Sequence, residues 1–172
     1  LNMQKELNVK IKFRESFRPF APSVIYEDIA NYFNINIPSP YMQLVSTIKN
    51  EIRTDNTNDS KLFGIERLNE ARSEIPAVTH VDYSARIQSV HKEINPIFYN
   101  LLKKFKEETG CSVLLNTSFN VRGEPIVNTP NEAFLCFMGT NLDILVIEDF
   151  ILFKDQQDQS LIKDYKNKFE LD

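Results

Sequence analysis

Residues Asn95 to Leu115 constrain the fold more than any other stretch, because they specify a helix with both ends marked and a strand directly after it. Asn95 supplies an N-cap side chain, Pro96 suits the first helical position, and Gly110 sits where a C-cap belongs. Ile97, Phe98, Leu101, Leu102 and Phe105 share one face, with Lys103, Lys104, Lys106 and Glu107 off it, so the helix is expected to pack on a sheet. Val113-Leu114-Leu115 then reads as a buried strand.

Similar signals recur along the chain. Glu27 to Phe33 reads as a short helix and Met42 to Ile48 as a strand. Thr129-Pro130-Asn131-Glu132 opens a helix ending near Met138-Gly139, and Leu142 to Ile147 and Phe150 to Phe153 read as two further strands. Val9, Ile11 and Phe13 alternate with Lys10, Lys12 and Arg14, which is strand spacing over Val9 to Arg18. Pro19 and Pro22 are expected to break regular structure, and Ile75 to Val81 to form a strand interrupted by Pro76. Thr54 to Ser60 is expected to be a mobile surface loop, Lys61 to Ala71 a weak helix, and the charged Gln156 to Asp172 a surface helix. Helices alternating with buried strands imply an α/β layered fold, and 172 residues suit one ordinary core, so residues 1–172 are expected to form a single domain.

Composition narrows the function. With 42% hydrophobic and 26% charged residues the chain is globular, and no apolar run approaches the roughly 20 residues that span a bilayer, so no membrane partner is expected. A net charge of -4 argues against a broad basic surface for duplex nucleic acid, though not against a local basic pocket. Cys111 and Cys136 stand too far apart for a zinc knuckle or a CxxC pair, and no metal site is expected. No signal peptide follows Leu1, so the cytoplasm is the expected compartment, and a chain that starts with leucine reads as a piece of a longer protein.

Three groups could carry chemistry. Lys12, Arg14 and Arg18 place three cations in seven residues, suited to phosphate, because arginine offers a planar fork of donors and lysine a point charge. A solvated strand face is the competing reading. Asn116, Thr117, Ser118, Asn120 and Arg122, followed by Gly123 and Glu124, form a compact donor set after a strand, where α/β proteins bind ligands; a strand-capping Asx turn is the alternative. Neither a P-loop nor a dinucleotide-binding glycine motif is present, so a nucleotide would be held by side chains. Thr79, His80, Asp82 and Arg86 form the third group, with His80 and Asp82 expected two apart on one strand face; a hydrogen-bonded strand-end histidine is the blander reading.

Lys12-Phe13-Arg14-Glu15-Ser16-Phe17-Arg18-Pro19-Phe20-Ala21-Pro22-Ser23, Ile75-Pro76-Ala77-Val78-Thr79-His80-Val81-Asp82 and Leu114-Leu115-Asn116-Thr117-Ser118-Phe119-Asn120, with Gly123-Glu124-Pro125-Ile126-Val127, resemble the C-terminal domain of the nodulation protein U type of O-carbamoyltransferase. The likeness spans nearly the whole chain. It departs from the family's wording in lacking a Gly-Pro-Arg-Ala-Leu-Gly-Asn-Arg stretch and in carrying Tyr83-Ser84 where many relatives have Gly-Thr.

The resemblance implies a YrdC-like fold, a twisted mixed sheet flanked by helices, with a K-x-R element (Lys12, Arg14) and an S-x-N element (Ser118, Asn120) around ATP. It implies formation of carbamoyl adenylate from carbamoyl phosphate and ATP, with Mg²⁺ arriving on the ATP. A separate N-terminal domain with iron-ligating histidines would then pass the carbamoyl group to an acceptor hydroxyl on a small molecule or saccharide. Lys12, Arg14, Arg18, Arg86, Ser118 and Asn120 are the expected catalytic set, and Thr79, His80, Asn116, Thr117 and Arg122 join Ser118 and Asn120 as nucleotide-binding candidates. A homodimer is compatible with the phenylalanine content. Two alternatives stay open: a non-catalytic nucleotide-binding or docking module, and a threonylcarbamoyl-adenylate type of enzyme for tRNA modification.

Overall fold

The computed structural model describes residues 2–54, 64, 68, 70–162 and 164–170. The loop expected over Thr54 to Ser60 and the helix expected over Lys61 to Ala71 lie almost wholly outside the described residues. The elements begin with helix α1 (Asn2–Glu6), which runs into a π-turn at Leu7–Ile11, and continue with strand β1 (Ala21–Ile25), helix α2 (Ile29–Tyr32) and strand β2 (Leu44–Thr47). Strand β3 (Ser84–Val90), helix α3 (Pro96–Thr109), strand β4 (Val113–Asn116), helix α4 (Pro130–Gly139) and strands β5 (Ile144–Ile147) and β6 (Phe150–Phe153) follow. Among the described residues no helix is long and apolar enough to cross a membrane.

The chain forms two compact units, one of Pro19–Thr117 and one of Asn2–Arg18 with Ser118–Asp172. The first unit is built on a four-stranded sheet in the order β2-β3-β1-β4. β1 runs parallel to β3 and antiparallel to β4, so the sheet is mixed, as the family resemblance implies. Helix α3 keeps its predicted ends: the Asn95 side chain accepts from the Phe98 amide, and Gly110 takes the left-handed conformation at φ 76. Leu102 is fully buried against Ile25 and Val90, with Phe98, Tyr99 and Leu114 around them. The buried stripe is narrower than the sequence face, since Ile97 and Leu101, about 100° round the helix from Phe98 and Leu102, are exposed.

Two expectations for this unit are corrected. Pro22 does not break the chain but lies inside β1, fully buried. It is tolerated near the strand's start, where it is registered against Leu115 of β4 while the ladder to β3 begins one residue later at Ser23. Ile75 to Val81 is not a strand. A 3-10 turn covers Pro76–Val78, and the Thr79 hydroxyl, which donates to the Ile75 carbonyl and pairs with Ser73, folds the segment back on itself. His80 and Asp82 therefore lie on a turn, closed by Tyr83 at φ 62 and by the Ser84 amide donating to Asp82 Oδ1, and the strand starts only at Ser84.

The second unit has two apolar clusters that share helix α4. Ala133, Phe137 and Met138 pack on Leu145 of the β5–β6 hairpin, while Cys136, Val121 and Tyr165 form the other cluster. Thr129 and Glu132 make a reciprocal capping box at the start of α4, and Lys154 donates to the Phe137 and Thr140 carbonyls at its end.

The strand expected over Val9 to Arg18 is absent. Leu7–Ile11 is helical, and residues 12–18 form a hairpin-like bend around Asn8. Asn8 has no exposed surface; its side chain donates to the Ser16 and Arg18 carbonyls and accepts from Arg14 Nε. Phe13 takes a positive φ of 50, which strand geometry forbids, so the apolar and basic alternation has another origin than a pleat. Among the described residues the tail is not a helix but carries short 3-10 turns at Lys154–Gln156 and Gln159–Leu161, and Tyr165 is buried.

Candidate functional site

Six of the sequence-predicted residues, Lys12, Arg14, Arg18, Ser118, Asn120 and Arg122, line one cavity of about 740 Å³ in the second unit. That size is in the range of small-molecule sites. Two segments build the cavity. The Asn8-centred bend delivers Lys12, Arg14 and Arg18, and the turn after Thr117 delivers Ser118, Asn120 and Arg122; the Arg122 amide donates to the Lys12 carbonyl at 3.1 Å and ties them together.

Lys12 is the joint between the two elements. Its ammonium, only 5% exposed as a residue, donates to the Ser118 carbonyl at 2.8 Å, the Asn120 carbonyl at 2.6 Å and Asn120 Oδ1 at 2.7 Å. Three acceptors match the three donors of a lysine. Ser118 Oγ donates to the same Asn120 Oδ1 at 2.6 Å, and Asn120 Nδ2 donates to the Glu124 carbonyl at 2.7 Å. The S-x-N side chains are thus held in place by the protein's own hydrogen bonds.

The arginines carry the positive field. Arg14 is oriented by its Nε donating to Asn8 Oδ1 at 2.6 Å, and burial, with Arg18 beside it, draws it below the usual guanidinium range while Glu15 opposes that shift. Glu15 pairs with Arg18 at 2.9 Å and lies 3.8 Å from Arg122. A hydrogen bond from its own backbone and the nearby arginines hold its carboxyl below the usual range. Burial, with Arg14 adding to it, lowers Lys12 to about 8. Like charges gathered in one cleft, two of them drawn down chiefly by burial, form an arrangement that can receive an anion.

Sequence reasoning did not assign Glu124 a role. Its carboxylate accepts the Val121 amide at 2.8 Å and the Tyr165 hydroxyl, closing the turn that carries Ser118 to Arg122. The neighbouring Cys136 thiol is pushed up to about 12 by burial and by Glu124, so it stays a buried, protonated filler. Glu170 also lines the cavity, and the charged tail gave no pattern pointing to that.

The other candidates belong to the first unit and have different surroundings. Asn116 donates to Gln88 Oε1 at 2.7 Å, which also accepts from Ser23 Oγ at 2.6 Å, a polar network across the sheet. Thr79 is buried in its bonds to Ser73 and Ile75, and His80 is half-buried at the turn before β3. Arg86 is exposed on β3 opposite Val45, and Thr117 is exposed after β4. Among the described residues no three His, Cys, Asp or Glu side chains are grouped to hold a metal ion.

Comparison with known proteins gives this geometry a context. The family model for the carbamoyltransferase C-terminus matches residues 1–154. An uncharacterized protein of Synechocystis sp. is 55% identical over 99% of this chain and 28% of its own length. Nodulation protein NolO of Bradyrhizobium diazoefficiens is 35% identical over 86% of this chain and 24% of its own length. The 3'-hydroxymethylcephem-O-carbamoyltransferase of Amycolatopsis lactamdurans is 33% identical over 81% of this chain and 23% of its own length. The chain spans roughly a quarter of the length of these relatives.

Proposed function

The chain belongs to the carbamoyltransferase C-terminal family, and from that footing we propose that its second unit binds ATP and carbamoyl phosphate and forms carbamoyl adenylate. The observation that carries the reading is the convergence of Lys12, Arg14, Arg18, Arg122, Ser118 and Asn120 on one cavity. Carbamate, freed from carbamoyl phosphate by water with loss of inorganic phosphate, attacks the α-phosphorus of ATP through a carboxylate oxygen. The new P–O bond forms as the α–β bridging P–O bond breaks, and pyrophosphate leaves.

The residues of this step meet a charge problem. Two polyanions must approach each other, and the leaving pyrophosphate gains charge, so prepositioned cations supply most of what a protein can contribute. Arg14, held by Asn8, and Arg122, on the turn fastened by Lys12, grip phosphate oxygens; Arg18 adds an outer contact. Lys12 contributes its charge and keeps the Ser118–Asn120 element in shape, and Ser118 Oγ lies at the exposed edge, where it can meet a phosphate or ribose oxygen. Mg²⁺ would arrive with the ATP phosphates and would supply charge neutralisation there, a role that needs no cage of protein ligands. Transfer to an acceptor hydroxyl is the proposed task of the remainder of the longer protein, on which this chain would act as the supplier of activated carbamoyl groups.

The test is pyrophosphate release that depends on carbamoyl phosphate, measured on the chain and on a full-length protein containing it. Arg14→Ala and Arg122→Ala are expected to lower it at least tenfold. ATP binding with no carbamoyl-phosphate-dependent release from the full-length protein would instead favour a nucleotide-binding module.

A further inference from the structure

We infer that Tyr165, in the C-terminal segment, is a positioning residue of the anion site, acting through Glu124 to hold the turn from Ser118 to Gly123 in its binding shape. The inference rests on the ATP and carbamoyl phosphate reading above for its functional consequence. Residues 155–172 lie beyond the span matched by the family model.

The chain of contacts is continuous. The Tyr165 hydroxyl donates to Glu124 Oε1, and Glu124 Oε2 accepts the Val121 amide at 2.8 Å. The Glu124 carbonyl accepts from Asn120 Nδ2 at 2.7 Å, which fixes the amide so that Oδ1 faces Lys12 and Ser118. A carboxylate held at both oxygens has little freedom, and loss of the Tyr165 hydroxyl would loosen its hold on the Val121 amide.

Packing keeps Tyr165 in that position. Its ring is buried with Val121 and Cys136 and meets Phe169 edge to face at 5.3 Å. Gly139 of α4 leaves the space that the ring fills, since a Cβ there would overlap Tyr165 Cβ and Cγ. Gly123, at φ 76, is approached in the same way by the Glu170 carbonyl, and Glu170 lines the cavity. The C-terminal segment is therefore built against the site turn at Gly123 and Glu124 and against α4 at Gly139. Burial, with Glu124 accepting its hydrogen bond, pushes the Tyr165 phenol up, so it remains a donor at ordinary pH.

Tyr165→Phe removes the hydroxyl and keeps the ring. On the 172-residue chain, the Val121 amide is expected to exchange its hydrogen about tenfold faster while the α4 amides keep their protection, and ATP is expected to bind about three- to tenfold more weakly. In a Glu124→Ala background the same change should alter ATP binding less than twofold, because the two residues act in series. Unchanged protection at Val121, or effects of the two substitutions that multiply, would overturn the inference. Should the wild-type chain bind no ATP, the adenylation reading fails, and the exchange measurement by itself still decides whether Tyr165 holds the turn.

Discussion

Lys12 and Asn120, 108 residues apart, are joined twice: the lysine ammonium donates to the Asn120 carbonyl at 2.6 Å and to its side-chain Oδ1 at 2.7 Å. The two short elements that carry the site are therefore one assembly with a cation at its centre. Lys12 spends its hydrogen bonds on protein acceptors, so the proposed function assigns the ligand to the arginines around it.

Replacing Lys12 by methionine should disturb both shape and charge. It leaves the Ser118 and Asn120 carbonyls without the ammonium donor and Asn120 Oδ1 with Ser118 Oγ alone, at a cost of about 1–3 kcal/mol in a urea unfolding series. Lys12→Arg should fail to restore ATP binding, because a planar fork cannot point three donors at acceptors gathered around one nitrogen. Recovery of wild-type affinity in Lys12→Arg would show that charge alone matters there.

The lowered Lys12 pKa predicts a pH dependence with a definite sign. The unfolded lysine holds its proton up to the ordinary 10.5, whereas the folded one releases it from about 8. Between those values the unfolded state binds more protons, so raising the pH stabilises the fold relative to a variant without this group. The shift corresponds to about 3 kcal/mol at most. Urea midpoints of wild type and Lys12→Met at pH 7.5 and pH 9.5 should therefore diverge in favour of wild type at the higher pH; parallel midpoints would mean an ordinary lysine.

How much of this could be read from the sequence depended on the range of the interactions. Helix α3 was legible because Asn95, Pro96 and Gly110 act on backbone groups within a turn of themselves. The same holds for α4, whose capping box is written in Thr129 and Glu132. The N-terminal bend was not legible, since Val9 to Arg14 alternates like a strand and the group that folds it is one buried amide, Asn8, bonding 6 to 10 residues away. The cationic and S-x-N residues could be picked out individually, but their junction needed a contact across more than 100 residues. Tyr165 gave no local signal at all, because its burial depends on the room left at Gly139.

Glu15 should compete with the ligand. Its carboxylate neutralises part of the field of Arg18 and Arg122, at 2.9 and 3.8 Å. Glu15→Gln is expected to tighten pyrophosphate or ATP binding by about threefold at low salt, with the gain shrinking as salt screens the exposed charges. Calorimetric titrations at two ionic strengths would check it. Weaker binding would mean that Glu15 orients the arginines more than it opposes the anion.

Asn8 offers the sharpest separation of fold from charge, since it lies at the base of the bend and not among the residues that line the cavity. Asn8→Ala strips the Ser16 and Arg18 carbonyls of their donor and Arg14 Nε of its acceptor, in a place with no exposed surface. The expected loss is about 2–4 kcal/mol of stability. Asn8→Asp keeps an acceptor for Arg14 but sets a carboxylate against two carbonyl oxygens, so it should lose similar stability. Under conditions where both variants remain folded, the two should differ in ATP affinity: Asn8→Asp should hold Arg14 in place and bind ATP more tightly than Asn8→Ala, despite its added negative charge. The opposite order would mean that the anion responds to the net charge beneath the site and not to the orientation of Arg14.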